Sequence, residues 1–68
     1  MEPRFLTLAD VQEALNIKSA QAYALVRSGE LPAIQIGGRN AWRVEASELE
    51  TYIQRQYEAA RTRAEIAR

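Results

Sequence analysis

Four cations, Lys18, Arg27, Arg39 and Arg43, stand between Asn16 and Arg43 against a single carboxylate, Glu30. Ammonium and guanidinium groups concentrated in this way neutralise phosphates and release condensed counterions, so the chemistry they suggest is polyanion binding. The excess is local. Nine Lys+Arg balance nine Asp+Glu over the whole chain, and net charge therefore gives no support for a nucleic-acid partner. Catalytic chemistry has less to work with. The sequence holds no His and no Cys, which removes the usual structural zinc ligands and any disulfide scaffold. Asp10 and Glu13, and again Glu48 and Glu50, fall near expected helix starts, where a carboxylate stabilises the helix dipole rather than forming an acid–base pair. Gly37-Gly38 lacks both the lysine and the following helix of a phosphate-binding loop, so it reads as turn chemistry. The expectation is a non-enzyme with no catalytic residue, no cofactor and no metal.

The elements that must position these cations are legible in the hydrophobic pattern. Residues 1 to 6 read as a short lead-in. Leu8, Val11 and Leu15 share one helical face after Thr7, with Asp10 spaced for a capping box and Asn16 as the stop. Ile17 is expected as a buried anchor in the following turn. Ser19 is expected to cap a second helix, Ala20 to Ser28, whose inner face is Ala22, Leu25 and Val26. Gly29 suits the left-handed residue that ends such a helix, and Pro32 prevents its resumption.

Beyond Pro32 the alternation of Ile34 and Ile36 with Gln35, and of Trp42 and Val44 with Arg43, predicts a hairpin around Gly37-Gly38-Arg39-Asn40. Its apolar face would be Ile34, Ile36, Trp42 and Val44, leaving Gln35 and Arg43 on the polar face. Trp42 is assigned to the core. Ser47 is expected to cap a last helix with Leu49, Tyr52 and Ile53 facing inward. A weaker pattern continues through Gln56, Tyr57, Ala60 and Ala64, decorated by Arg55, Arg61, Arg63 and Arg68.

Sixty-eight residues suit one domain, which at this size buries only about 60% of its unfolded surface. The expected layout is a single winged helix-turn-helix domain over 1–68, with its core at 5–53 and a helical extension at 54–68. In fold class it is mainly α with a small β-hairpin, in the order helix, helix, hairpin, helix. No apolar run reaches the length of a membrane span and the first residues lack a signal-peptide pattern. A cytoplasmic, nucleoid-associated protein with no membrane partner is expected.

Two short helices and a hairpin form the arrangement that places a second helix in the major groove of double-stranded DNA while a wing touches backbone or minor groove. The groove-facing set would be Ser19, Ala20, Gln21 and Ala24, with Lys18, Tyr23 and Arg27 toward phosphates. Gln21 is the expected direct reader, because an amide pairs bidentately with adenine. Gln35, Gly38, Arg39, Asn40 and Arg43 would form the wing contacts. Tyr57, Ala60 and Ala64 belong either to a solvated helix or to a surface for a partner or second copy.

Phe5-Leu6-Thr7, Tyr23 with Leu25-Val26-Arg27, the run Arg27 to Ala33, Ile36 to Arg39, Trp42-Arg43-Val44 and Leu49 to Ile53 together resemble the excisionase-family helix-turn-helix domain, a winged relative of the MerR module. The resemblance spans about residues 5 to 53. It implies duplex DNA binding, either as an excisionase working beside an integrase or as a small regulator acting on the transcription machinery. Ala20, Ala24 and Ala41 stand where that family often carries Arg, which implies weaker binding by one copy and a gain from a homodimer or cooperative multimer. The alternative is a protein-interaction module using the last helix, with DNA binding weak or lost.

Overall fold

The computed structural model describes residues 4–66. Thr7 opens the first helix, α1 (Leu8–Leu15), through two reciprocal hydrogen bonds. Asp10 N–H donates to Thr7 Oγ1 at 3.1 Å, and Thr7 N–H donates to Asp10 Oδ2 at 3.0 Å. The capping box expected from the spacing is thus formed. Asn16 ends the helix with φ of 54°, a left-handed conformation that Asn tolerates better than other side-chain-bearing residues. Thr7→Ala should cost about 0.5–2 kcal/mol. In thermal denaturation followed by circular dichroism this is a lower Tm, by roughly 4–8 °C for each kcal/mol, and Thr7→Ser should restore most of it.

The second helix, α2 (Ser19–Ser28), starts one residue before the expected Ala20. Ser19 is its first helical residue and Lys18 is the N-cap, so the expected Ser19 cap is corrected. Gly29 closes α2 at φ of 84°, where a side chain would be strained. Ser28 reinforces that end: its Oγ donates to Leu25 O and accepts Glu30 N–H, both at 3.2 Å. Ile17, expected to be buried, is only partly so.

Three short strands form one antiparallel sheet in the order β1 (Phe5–Leu6), β3 (Trp42–Glu45), β2 (Ile34–Gln35). β1 is an addition to the expected hairpin, since the lead-in pairs Phe5 with Glu45 and Leu6 with Val44. The wing register sets Ile34 opposite Arg43 and Gln35 opposite Trp42. Directly opposed residues share a face. Ile34 therefore lies with Arg43, and Gln35 with Trp42, which corrects the expected faces. Ile34 and Ile36 are about half exposed, at 50% and 49%.

The core draws one or two residues from each layer. Val11 of α1, Val26 of α2, Leu31 of the following loop, Val44 of β3 and Leu49 of the last helix form the buried cluster. Leu6, Leu8, Leu15, Leu25, Trp42, Tyr52 and Ile53 pack around it, so Trp42 lines the core as expected. That last helix, α3 (Ala46–Ile66), follows β3 without a break. Ser47 is not its cap but lies in its first turn, where its carbonyl accepts Thr51 Oγ1 at 3.0 Å. Every residue from Gln54 to Ile66 is exposed. Arg55 Nη2 reaches Glu30 O at 3.4 Å and Arg61 pairs with Glu58 at 2.8 Å. The expected extension is helical as far as Ile66, and Arg68 lies outside the described residues. No helix among the described residues is long and apolar enough to cross a membrane.

Candidate nucleic-acid interface

The inner side of α2 is settled by Ala22 and Val26, both buried, with Leu25 partly so. At 3.6 residues per turn, Ala20 and Ala24 then occupy the centre of the opposite side, flanked by Arg27 and by Gln21 and Ser28. All five are exposed. Tyr23 sits at the margin, partly buried, and the Arg27 guanidinium lies 5.8 Å from its ring centroid. That contact restrains Arg27 beside the outward face. Ser28 was not among the expected contacts and belongs to the same side. Its hydrogen bonds hold the helix end, a role consistent with its position before Gly29 and Glu30.

Capping at the start of α2 differs in kind from that of α1. A lysine ammonium has no lone pair with which to accept a backbone N–H. The bond present runs the other way: Lys18 N–H donates to Gln21 Oε1 at 3.0 Å. Lys18 has extended backbone, φ −83° and ψ 161°, and its side chain is left exposed. The helix start is therefore held by Gln21, while the Lys18 charge remains available to a partner.

In the wing, Gly37 (φ 86°), Gly38 (φ 154°) and Asn40 (φ 61°) place three positive-φ residues around Arg39. The turn is closed by Ile36 N–H to Ala41 O at 3.0 Å and by Ala41 N–H to Gly38 O at 3.4 Å. Gln35, Gly38, Arg39 and Asn40 are exposed. Arg43 is partly buried, and its Nη1 donates to Trp42 O at 2.8 Å. Gln35 and Arg43, expected on one polar face, lie on opposite faces of the sheet. Phe5 and Ile34 accompany Arg43 on the outer face, around a depression also lined by Pro32 and Glu48.

Among the described residues, charge pairing leaves the central cations without carboxylate partners, as it does Arg55 and Arg63 of α3. Arg4 binds Glu45 at 3.1 Å and Arg61 binds Glu58 at 2.8 Å. Among the described residues, Lys18, Arg27, Arg39 and Arg43 have no such partner. No cluster of metal-ligating side chains occurs among the described residues either. Arg55 has a structural role that its place in the sequence pattern does not show. Its bond to Glu30 O fastens α3 to the segment just after α2, and no local pattern signals it because the partner is a backbone carbonyl 25 residues away. Tyr57, Ala60 and Ala64 lie on one side of α3, well exposed, with Tyr57 at 64%.

A family model described as a helix-turn-helix domain matches residues 5–57, most of the chain. The match runs past Ile53 to Tyr57, leaving Ala60 and Ala64 beyond it. Comparison with the curated proteins and with the solved structures gives no match.

Proposed function

Because the chain belongs to this excisionase-like helix-turn-helix family, we propose that it is a sequence-preferring binder of duplex DNA, seating α2 in the major groove and the β2–β3 wing on backbone or minor groove. One observation carries the reading. Lys18, Arg27 and Arg39 are exposed, with no carboxylate partner among the described residues, at the two ends of α2 and at the wing tip. Cations so placed fix the register of the protein on phosphates, and the side chains between them read base edges. Ala20 and Ala24 let the helix backbone come close to the bases, and an alanine methyl favours the methyl of thymine. With few positive charges, a single copy binds modestly. Cooperative or dimeric binding would raise the effective affinity, and Tyr57, Ala60 and Ala64 are the surface proposed for it.

The same grip serves a transcription regulator and an excisionase that directs an integrase, and both remain within the proposal. A location in the cytoplasm, on the nucleoid, follows from either role. Selection from a random duplex pool at low salt tests the common part. Enrichment of a motif a few base pairs long is expected, and no enrichment with no mobility shift would end the proposal. A second reading, a protein-docking module, is favoured by the exposed length of α3 from Gln54 to Ile66. Under that reading the pool yields no motif, so one experiment separates the two.

A further inference from the structure

We propose that Gln21 divides its amide between two tasks: Oε1 caps α2, and Nε2 reads a hydrogen-bond acceptor on a base edge. The inference rests on the DNA-binding reading above and deepens it.

An amide is ambiguous until its neighbours orient it, since oxygen and nitrogen have similar shapes and opposite hydrogen-bonding roles. Here the neighbour is decisive. Lys18 N–H is a donor 3.0 Å from Oε1, so the oxygen must face the helix start and the nitrogen must face away. Lys18 N–H has no helical carbonyl to bond at this position, because it precedes the first turn. The cap therefore holds the side chain in one orientation before any ligand arrives. Gln21 is exposed, and on the outward side of α2 its neighbours Ala20 and Ala24 offer no side-chain hydrogen bond.

This arrangement narrows the expected specificity. Bidentate pairing with adenine needs the amide oxygen for N6–H and the nitrogen for N7. In Gln21 the cap occupies one of the two lone pairs of the oxygen and turns that atom toward Lys18 N, so the nitrogen is the group directed away from the helix start. Acceptors in the major groove are guanine O6 and N7, adenine N7 and thymine O4, whereas cytosine presents the N4 donor. Gln21 thus disfavours cytosine at the base it faces, without a strong preference for adenine.

Gln21→Glu separates the tasks. A carboxylate at this position still accepts Lys18 N–H, as in an ordinary capping box, but it has no donor to give a base. Gln21→Ala removes both. Selection from a random duplex pool, read as base preference at each position rather than as bare affinity, is run on the wild type and both variants alongside thermal denaturation. In the wild type, one position is expected to exclude cytosine by about tenfold. Gln21→Glu should keep the wild-type Tm within about 2 °C while reversing the preference at that position toward cytosine. Gln21→Ala should lose the preference and lower Tm by roughly 4–8 °C. Identical base preferences in wild type and Gln21→Glu would overturn the reading role. An unchanged Tm in Gln21→Ala would overturn the capping role. Failure of the wild type to enrich any sequence would instead remove the DNA-binding premise, a result distinguishable from both.

Discussion

Replacing Lys18, Arg27 and Arg39 together by alanine is expected to reduce duplex affinity on the order of a hundredfold near 0.1 M salt, and to flatten the log–log salt dependence by about 2.7. The magnitude follows from counterion release, in which each neutralised phosphate contributes roughly 0.9 to the slope. Three contacts removed from a protein with only four central cations leave little electrostatic attraction. The fold should survive the change. The Lys18 side chain takes no part in the cap, which runs from its backbone N–H to Gln21, and Arg39 is exposed at the wing tip. Arg27 gives up its contact with the Tyr23 ring, a loss of about 0.5–1 kcal/mol at an exposed site. Fluorescence anisotropy titrations at four or five salt concentrations measure the slope directly. A slope equal to that of the wild type would mean that these cations do not touch phosphate. Arg43 is left out of the triple variant because its guanidinium is partly committed to Trp42 O.

Leu31→Ala is expected to be the most destabilising truncation to alanine. Leu31 is fully buried, and with Val11 and Val44 it is one of the largest side chains wholly removed from solvent. Emptying such a site costs about 2–5 kcal/mol. A domain of this length has roughly 3–10 kcal/mol in total, so the loss takes a large share of what holds the protein together. Chemical denaturation at 25 °C should show an unfolding free energy lower by that amount and a correspondingly lower midpoint, and a substantial unfolded fraction should be present without denaturant. Leu31→Met conserves volume and should cost less than about 1.5 kcal/mol. Equal stability of Leu31→Ala and the wild type would show that the core closes without this residue.

Leu31 also shows where sequence reading stops. It lies in the loop between α2 and β2, with no periodic partner, and nothing in the spacing of Glu30-Leu31-Pro32 distinguishes a core residue from a surface one. Its burial is a tertiary fact, fixed by Val11, Val26, Val44 and Leu49 converging from four other elements. Features set by near neighbours were legible. Thr7 and Asp10 announced their capping box, Gly29 announced the end of α2, and Leu49, Tyr52 and Ile53 announced the inner side of α3. The wing was legible as a hairpin but not in its register. Ile34, Ile36, Trp42 and Val44 form an equally good alternation on either strand alone, and a one-residue offset moves one strand's set to the other face. The start of α2 misled for a different reason. Ser19 is the better capping residue by type, yet Gln21, two places on, supplies the acceptor from inside the helix. β1 leaves no signal in the sequence because two residues carry no period, and their partner lies far along the chain. At the candidate interface the exposed cations were legible from type and position, whereas the opposed placement of Gln35 and Arg43 depended on the register.

The place of β3 in the middle of the sheet has a consequence for solubility. A strand with free backbone N–H and C=O groups along one side recruits strands from other molecules. β3 is the longest strand and carries Trp42 and Val44, which makes it the segment most prone to such recruitment. β1 covers one side at Val44 and Glu45, and β2 covers the other at Trp42 and Arg43. The outer rims of β1 and β2 are only two residues long, too short to template a growing stack, and each half of β3 keeps one side paired. The Arg4–Glu45 pair lies beside one rim, and the turn through Gly37 and Gly38 bends the chain away soon after the other. Phe5 and Leu6 therefore act as a guard strand, removing the backbone groups of Val44 and Glu45 on that side from pairing with another molecule.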